Sequence, residues 1–257
     1  MSGRPRVLVT NDDGIESAGV IALAKALAKD YEVLLVTPDE DMSGTGTGIG
    51  RFDATVGVDL RPVEVDGLEA EAYTISGPPG LAVMSACLGA FGQVPDLVAS
   101  GINAGINTGH SVIHSGTVGA ALTARTFGSR GLAVSVAQSD PWQWETAATI
   151  ARAAAQWMCA DHRRPRVLNV NVPGVPIDQI EGIHWADLDE FGYFRVATAA
   201  HAEEKLQFVV GPDSSGSDPS TDTYLLGKHL VTVTPLSTVE PAPFPDVLAT
   251  DIWSPGN

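Results

Sequence analysis

Apolar runs and amphipathic segments alternate along the first two thirds of the chain. Residues 7–9 are Val-Leu-Val with no polar residue among them, which is typical of a strand buried on both faces. In the segment 18–29, apolar residues recur at the i, i+3, i+4 and i+7 spacing of an amphipathic helix. A second buried strand is expected at 32–36, apolar from Val33 onward, and it completes a strand–helix–strand unit, so the pattern predicts a parallel sheet.

The same patterns predict the other elements of an α/β fold with a mostly parallel sheet flanked by helices. Further helices are expected at 79–91, 116–127 and 145–159. Further strands are expected at 96–100, 132–137 and 167–172, and the segments 56–60 and 71–75 are expected to form a local antiparallel ribbon. The strand 167–172 is interrupted by two asparagines, Asn169 and Asn171.

The alternation breaks down from about residue 177. Mixed aromatic and Gly/Ser/Asp/Pro-rich stretches follow, with one clear late strand at 230–236 and a proline-bearing tail from Glu240. We therefore expect a single domain over residues 1–257, with a core at about 1–176 and an irregular or β-rich C-terminal extension at about 177–257.

Composition narrows the classes of partner. The formal net charge of −16 leaves no basic surface for a polyanion, which argues against nucleic acid but not against a small phosphorylated substrate. The two cysteines, Cys87 and Cys159, lie in apolar helical segments and are expected to be core thiols, so the default compartment is a reducing cytoplasm. We see neither a leader-like segment nor an apolar run long enough for a membrane span, and we expect no membrane association.

Polar side chains collect after two of the predicted strands. Asn11, Asp12 and Asp13 follow the first strand, and a polar run from Ser100 to Thr117 follows the strand at 96–100. The carboxyl ends of parallel strands meet at one edge, so these residues can lie together. Adjacent carboxylates repel unless a cation lies between them or one is protonated, which favours a hard-metal site. An ordinary Asx turn that caps the next helix is the alternative.

The residues Ser115, Gly116 and Thr117 stand where a helix is expected to begin. Free backbone amides and two hydroxyls at this position can bind a phosphate group. N-capping of the helix by Ser115 explains part of the pattern equally well. The glycine-rich segment 40–51 is either a loop that lets backbone approach a ligand or a plain flexible excursion.

These motifs also carry a resemblance to a known family. The run from Val9 to Ile15, Val-Thr-Asn-Asp-Asp-Gly-Ile, resembles the signature opening of the SurE family of metal-dependent nucleotidases. Ser-Gly-Ile-Asn-Ala-Gly at 100–105, continued by Ser-Gly-Thr-Val at 115–118, is similar to the family's second signature. Shorter matches at 37–44, 168–173 and 233–236 keep the family's order, so the resemblance covers nearly the whole chain.

The resemblance implies a Rossmann-like core, a C-terminal extension exchanged between subunits of a homodimer or homotetramer, and one Mg²⁺ or Mn²⁺ per subunit. It implies hydrolysis of nucleoside 5′- and 3′-monophosphates by metal-assisted attack of water on phosphorus. By motif, the implied metal ligands are Asp12, Asp13, Ser43 and Asn103, of which Asp12 and Asp13 are also the implied catalytic residues. The implied phosphate contacts are Asn11, Gly44, Asn107, Ser115, Gly116 and Thr117.

Several positions depart from the family's pattern. Glu40, Asp41 and Met42 replace basic and amide residues, and the loops at 45–50 and 77–82 also differ. His110 and His114 stand in place of an acidic residue and a tyrosine; they could assist a leaving group or simply form loop hydrogen bonds. A phosphatase specialised for another phosphorylated intermediate, and a non-catalytic ligand-binding or scaffold relative, therefore stand as alternatives to a nucleotidase.

Overall fold

The structure is a computed structural model, and it describes residues 4–51, 57–190, 196–202, 205–211 and 218–238. Within these ranges the chain forms a nine-stranded sheet and a separate two-stranded sheet. The strands are β1 Arg6–Thr10, β2 Glu32–Pro38, β3 Leu60–Pro62, β4 Glu71–Ile75, β5 Leu97–Ala104, β6 Arg130–Val136, β7 Val167–Val172, β8 Gly182–Trp185, β9 Val196–Ala202, β10 Lys205–Gly211 and β11 Leu230–Leu236.

The large sheet is mostly parallel, and its strand order is β3-β4-β2-β1-β5-β6-β7-β11-β8. Neighbouring strands are parallel except in the pairs β3–β4 and β7–β11. The chain runs outward from β1 through β2 to one side and then returns to place β5 on the other side. A crevice at such a reversal is where open α/β sheets bind ligands, and the ends of β1 and β5 line it.

Helices cover both faces of this sheet. The α-helices are α1 Ala18–Leu27, α2 Pro79–Cys87, α3 Gly116–Thr126, α4 Trp144–Ala160 and α5 Asp222–Leu226, and 3₁₀ turns occur at His110–His114 and Ile177–Gln179. Successive residues of β1 pack into different layers: Val7 and Val9 join the core that contains α1 and α4, whereas Leu8 joins the core of α2 and α3. Burial on both faces explains why the strand lacks polar alternation.

The predicted α/β class and its parallel sheet are confirmed, with differences at the edges. Helix α2 ends at Cys87 rather than at residue 91, because Gly89 adopts a φ of +88° that terminates the helix. The predicted antiparallel pairing is confirmed, since β3 pairs antiparallel with β4. The pair is not a separate ribbon, however, because β4 also pairs with β2 in the main sheet. Residue 56 of that prediction lies outside the described residues.

Two elements beyond residue 176 belong to the main sheet. β11 pairs antiparallel with β7, and β8 pairs parallel with β11 at the end of the strand order. The predicted role of residues 177–257 in oligomerisation stays a prediction. No helix in the described portion of the chain has both the length and the apolar character needed to span a bilayer.

Candidate metal and phosphate site

The loop after β1 places Asp12 and Asp13 at the crevice. Asn11 is buried and its side-chain amide donates to the carbonyl of Gly14 at 3.0 Å, which closes the turn. Gly14 has a φ of +89°, a conformation that side chains other than glycine's rarely adopt. Asp12 is buried, and its carbonyl accepts the main-chain N–H of Met42 at 2.8 Å, so the glycine-rich segment passes directly over this turn.

Helix α3 begins against the Asp12 carboxylate. Ser115 caps the helix by accepting the N–H of Val118 at 3.2 Å. The hydroxyl of Thr117 donates to Asp12 Oδ1 at 2.6 Å. A Cβ at Gly116 would lie 2.6 Å from Asp12 Oδ2, so glycine is required for this close approach. An anionic group at a helix N-terminus is stabilised by the helix dipole, and here Asp12 is that group.

Asn103 brings the second strand end to the same point. Its Oδ1 lies 3.5 Å from the Thr117 hydroxyl, and its side-chain amide donates to the carbonyl of Gly105 at 2.8 Å. The register of β5 against β6 shifts between Ser100 and Asn103. Asn103 is therefore part of an irregular strand end rather than of the loop after it, and Thr117 joins it to Asp12.

Burial and neighbouring negative charge disfavour the ionised form of both carboxylates at this site. Burial raises the pKa of Asp12, although hydrogen bonds from the side chain and main chain of Thr117 oppose the shift. Burial, followed by repulsion from Asp12 and Asp41, raises the pKa of Asp13 to about 6. Asp13 Oδ2 is buried without a hydrogen-bond partner among the described residues, as is Asn11 Oδ1. Unsatisfied buried oxygens of this kind suit a hard cation.

The available donor set fits such a cation only if neutral oxygens contribute. In the described ranges, no group of three or more His, Cys, Asp and Glu side chains is arranged to hold a metal. Asp12, Asp13 and the amide oxygen of Asn103 are hard oxygen donors, and Mg²⁺ commonly retains several waters beside one or two carboxylates. The set therefore suits Mg²⁺ or Mn²⁺ better than a metal that prefers nitrogen or sulfur.

Ser43 and Gly44 lie on the exposed rim. The main-chain N–H and the hydroxyl of Ser43 donate to Asp41 Oδ1 at 2.8 and 2.6 Å, so its observed partner is Asp41 rather than Asp12 or Asp13. These bonds lower the pKa of Asp41. A Cβ at Gly44 would have open space around it, although the φ of +81° itself favours glycine. The metal role of Ser43 and the phosphate role of Gly44 stay predictions.

Asn107 is fixed by three residues of the neighbouring strands. Its main-chain N–H donates to Asn171 Oδ1, and its carbonyl accepts the side-chain amides of Asn169 and Asn171, all at 2.8 Å. Its own side-chain amide donates to the Ser135 hydroxyl at 2.9 Å. The two asparagines that interrupt strand β7 therefore hold the loop that carries Asn107.

His110 and His114 are both exposed and delimit the 3₁₀ turn that leads into α3. The carbonyl of His114 accepts the N–H of Gly46 at 3.2 Å, which ties this turn to the glycine-rich segment. This position at the mouth of the crevice is compatible with an auxiliary role toward a leaving group, which stays a prediction.

Sequence reasoning missed two acidic contributors. Asp41 was interpreted only as a divergent rim residue, yet its charge acts on both Asp12 and Asp13. Asp222 was passed over inside a Gly/Ser/Asp/Pro-rich stretch, yet it is fully buried and accepts the main-chain N–H of Gly109 at 2.9 Å. The position of Asp222 two residues before an apolar Tyr-Leu-Leu segment could have indicated a buried carboxylate.

A Rossmann-like sheet with two carboxylates at its crevice and a helix N-terminus facing them defines a class of α/β protein suited to bind a hard cation and a phosphate group. The family model described as "Survival protein SurE" matches residues 7–194 of the chain. The chain belongs to the SurE family, and the resemblance predicted from its motifs is confirmed.

Relatives in sequence and structure agree with this membership. The 5′-nucleotidase SurE of Pseudomonas entomophila is 34% identical over 235 residues, covering 90% of this chain and 91% of the relative. The 5′-nucleotidase SurE of Nitrosococcus oceani is 35% identical over 235 residues, covering 90% of each. The crystal structure of the SurE protein from Aquifex aeolicus superposes with a TM-score of 0.76 at 27% identity, covering 91% of this chain and 93% of that one.

Proposed function

We propose that this chain is a metal-dependent nucleotidase that releases phosphate from nucleoside monophosphates. The observation that carries the proposal is the position of the Thr117 hydroxyl, 2.6 Å from Asp12 Oδ1 and 3.5 Å from Asn103 Oδ1. It brings the ends of β1 and β5 together at the start of a helix. The names of the curated relatives, 5′-nucleotidase SurE, support the same activity.

The residues of the site have separable roles in this proposal. Asp12, Asp13 and Asn103 would hold one Mg²⁺ or Mn²⁺ per subunit, with Ser43 as a further ligand from the rim. Such a cation supplies charge neutralisation at the phosphoryl oxygens and a lowered pKa of water. Thr117 fixes the orientation of the Asp12 carboxylate through its hydroxyl.

The start of α3 provides the phosphate contacts. The Gly116 amide and the Ser115 hydroxyl lie at the helix N-terminus, where an anion is favoured. Burial and repulsion from Asp12 and Asp41 raise the pKa of Asp13 to about 6, and a cation bound beside this group would favour its charged form. Asn11, Gly44, Asn107 and Thr117 complete the proposed set around the substrate phosphate.

The rim of the site bears on the choice of leaving group. A cavity of about 410 Å³ lies between the glycine-rich segment and α2, lined by the apolar side chains of Met42, Ile49, Pro78 and Leu81 among others. Since these loops are also the divergent ones, a phosphatase specialised for another phosphorylated metabolite is the second candidate.

We also propose a cytoplasmic homodimer or homotetramer that assembles through residues beyond 176. Exposed apolar side chains at the β8 end of the sheet, Trp157, Ile183 and Trp185, support an association surface there. The free thiols of Cys87 and Cys159 are compatible with a reducing compartment.

A substrate panel tests the proposed function. Purified protein is assayed for phosphate release from nucleoside 5′- and 3′-monophosphates, sugar phosphates and 4-nitrophenyl phosphate, with Mg²⁺, Mn²⁺ or excess chelator. We expect release that depends on the metal, is abolished by the chelator and is fastest with nucleotides. A preference for a non-nucleotide ester would favour the second candidate, and no release from any ester would support the non-catalytic alternative.

A further inference from the structure

A buried carboxylate in the C-terminal part of the chain holds the loop that leads to the phosphate end of the site. Asp222 is the first residue of α5 and is completely buried. Asp189, in the preceding segment, is also buried, at 1% exposure. Burial of two carboxylates near each other costs folding free energy unless hydrogen bonds compensate their charges.

Both carboxylate oxygens of Asp222 accept main-chain amides. Oδ2 accepts the N–H of Gly109 at 2.9 Å, whereas Oδ1 accepts the N–H groups of Asp189 and Thr223 at 3.0 and 2.8 Å. Burial raises the pKa of Asp222, and the three amide hydrogen bonds act against that shift. Among these three bonds, the one to Gly109 leads to residues before 177, and it spans 113 positions of the sequence.

Two further hydrogen bonds connect the loop at residues 108–110 to the C-terminal segment. The Thr223 hydroxyl lies 3.1 Å from the hydroxyl of Thr108, which is itself buried. The main-chain N–H of His110 donates to the carbonyl of Asp189 at 2.9 Å. Residues 108–110 are thus bonded at three successive positions to a segment that makes none of the proposed metal or phosphate contacts.

The loop at residues 108–110 connects two parts of the proposed phosphate site. On its N-terminal side is Asn107, which β6 and β7 hold through Ser135, Asn169 and Asn171. On its C-terminal side, the 3₁₀ turn runs into Ser115 and the start of α3. A displacement of Gly109 therefore acts on Asn107 and on the helix N-terminus together.

We propose that Asp222 is a positioning residue for phosphate binding: by holding the Gly109 amide, it sets the separation between Asn107 and the N-terminus of α3. This inference rests on the proposed function for the identity of the phosphate end of the site. It assigns the C-terminal segment a role within its own subunit, in addition to any role in assembly.

The substitution Asp222→Asn tests this role with little change in side-chain size. An amide group offers one acceptor and one donor where the carboxylate offers two acceptors, so at least one of the three main-chain N–H groups must face another donor. A purely structural residue would lower the melting temperature and the active fraction, which reduces apparent kcat but leaves KM and phosphate affinity unchanged. Substitution of a positioning residue must change KM and the phosphate affinity.

The experiment compares the full-length wild type with Asp222→Asn in the presence of Mg²⁺. The Kd of inorganic phosphate is measured by calorimetry, and KM for 4-nitrophenyl phosphate is measured in parallel. We expect both constants to rise at least tenfold in the variant, whereas the Kd of Mg²⁺ changes by less than about threefold. Asp218→Asn is the matched control, because this exposed carboxylate accepts the main-chain N–H of Ser220 two residues on, and the variant should match the wild type.

Unchanged phosphate affinity and KM in folded Asp222→Asn would overturn the proposal. If that variant does not fold, Thr223→Val decides instead. It removes the hydroxyl contact to Thr108 and a longer one of 3.4 Å to Asp222 Oδ1, but it keeps the Asp222 carboxylate and its three main-chain partners. A rise of about threefold in both constants is expected, and wild-type constants would overturn the proposal. A wild type that binds phosphate but hydrolyses no ester would refute the proposed function while the phosphate Kd still decides this inference. A wild type that does not bind phosphate at all would refute both.

Discussion

At the scale of single residues, Asp13 is the least satisfied group of the site. One of its oxygens is buried without a partner in the described structure, and its neighbours Asp12 and Asp41 repel its charge. The negative charge of Asp12, by contrast, is stabilised by a hydrogen bond of 2.6 Å from the hydroxyl of Thr117. The difference assigns the two carboxylates separate tasks, since Asp12 is oriented by the protein and Asp13 depends on what binds beside it.

The raised pKa of Asp13 predicts how the metal-free protein responds to pH. The pKa is about 6 in the folded state against 3.8 as the reference value, so the folded state retains a proton that the unfolded state releases between these values. The contribution of Asp13 to the stability of the metal-free wild type should therefore fall as the pH rises from about 4 to about 6. Asp13→Asn lacks this penalty and should be more stable than the wild type above pH 6.

Urea unfolding in excess chelator, from pH 4 to pH 7.5, measures this difference. We expect the advantage of Asp13→Asn in unfolding free energy to grow up to about pH 6 and then to level off. Saturating Mg²⁺ should reverse the order, because the wild type gains binding energy that the variant lacks. A difference that does not vary with pH would contradict the assignment.

At the scale of elements, the site depends on how closely α3 approaches the end of β1. Gly116 permits that approach, because any Cβ there would lie within 3 Å of the Asp12 side chain. Gly119, one turn further on, similarly admits the carbonyl of Gly46, to which a Cβ would come within 1.9 Å. Helix α3 is therefore packed against the carboxylate turn and the glycine-rich segment at once.

Gly116→Ala should favour the helix but impair the site, so its effect on activity distinguishes the two roles of this position. Alanine favours the helix by about 1 kcal/mol over glycine in isolation, but here the added methyl must displace Asp12. We expect kcat/KM for a nucleotide to fall at least about tenfold, since shifts near 1 Å can cost up to about a hundredfold. Steady-state kinetics measure this, with Gly227→Ala as the control because a Cβ there meets ordinary contacts at 3.4 Å and beyond. Wild-type kinetics in Gly116→Ala would show that the close approach is unimportant.

The elements themselves were predictable from the chain wherever periodicity was strong. The apolar run of β1 and the 3.6-residue spacing of α1 predicted both elements, and the short strand–helix–strand connection predicted that β1 and β2 are parallel. Two features escaped because they depend on tertiary pairing. Strand β5 continues to Ala104 because β6 lies alongside it, and β4 lies beside β2 although its own pattern indicated only a hairpin with β3.

The site was predictable in its residue types but not in its connections. The motifs placed Asp12, Asn103 and Thr117 together, as the structure does. They did not show that Thr117 points to Asp12, because a hydroxyl at a helix start serves a cap, a carboxylate or a phosphate equally well. The contribution of Asp222 was invisible for a related reason: its partner, Gly109, is more than a hundred residues away.

At the scale of the whole molecule, three described elements beyond residue 176, namely β8, α5 and β11, are joined to the main sheet or to the loop before α3. β8 and β11 extend the main sheet, and α5 contacts the loop before α3 through Asp222. Residues from the first strand and from α5 therefore contribute to the surroundings of one crevice.

The central claim is that the carboxylates at the end of β1 make this molecule a metal-dependent phosphomonoesterase. The most direct measurement is steady-state phosphate release from a nucleoside 5′-monophosphate, with Mn²⁺ or Mg²⁺, by the wild type and by Asp12→Asn. Asp66→Asn, at an exposed turn position between β3 and β4, is the control. We predict that kcat/KM falls at least about a hundredfold in Asp12→Asn and is unchanged in the control. Equal rates for Asp12→Asn and the wild type, or a wild type without metal-dependent activity, would contradict the claim.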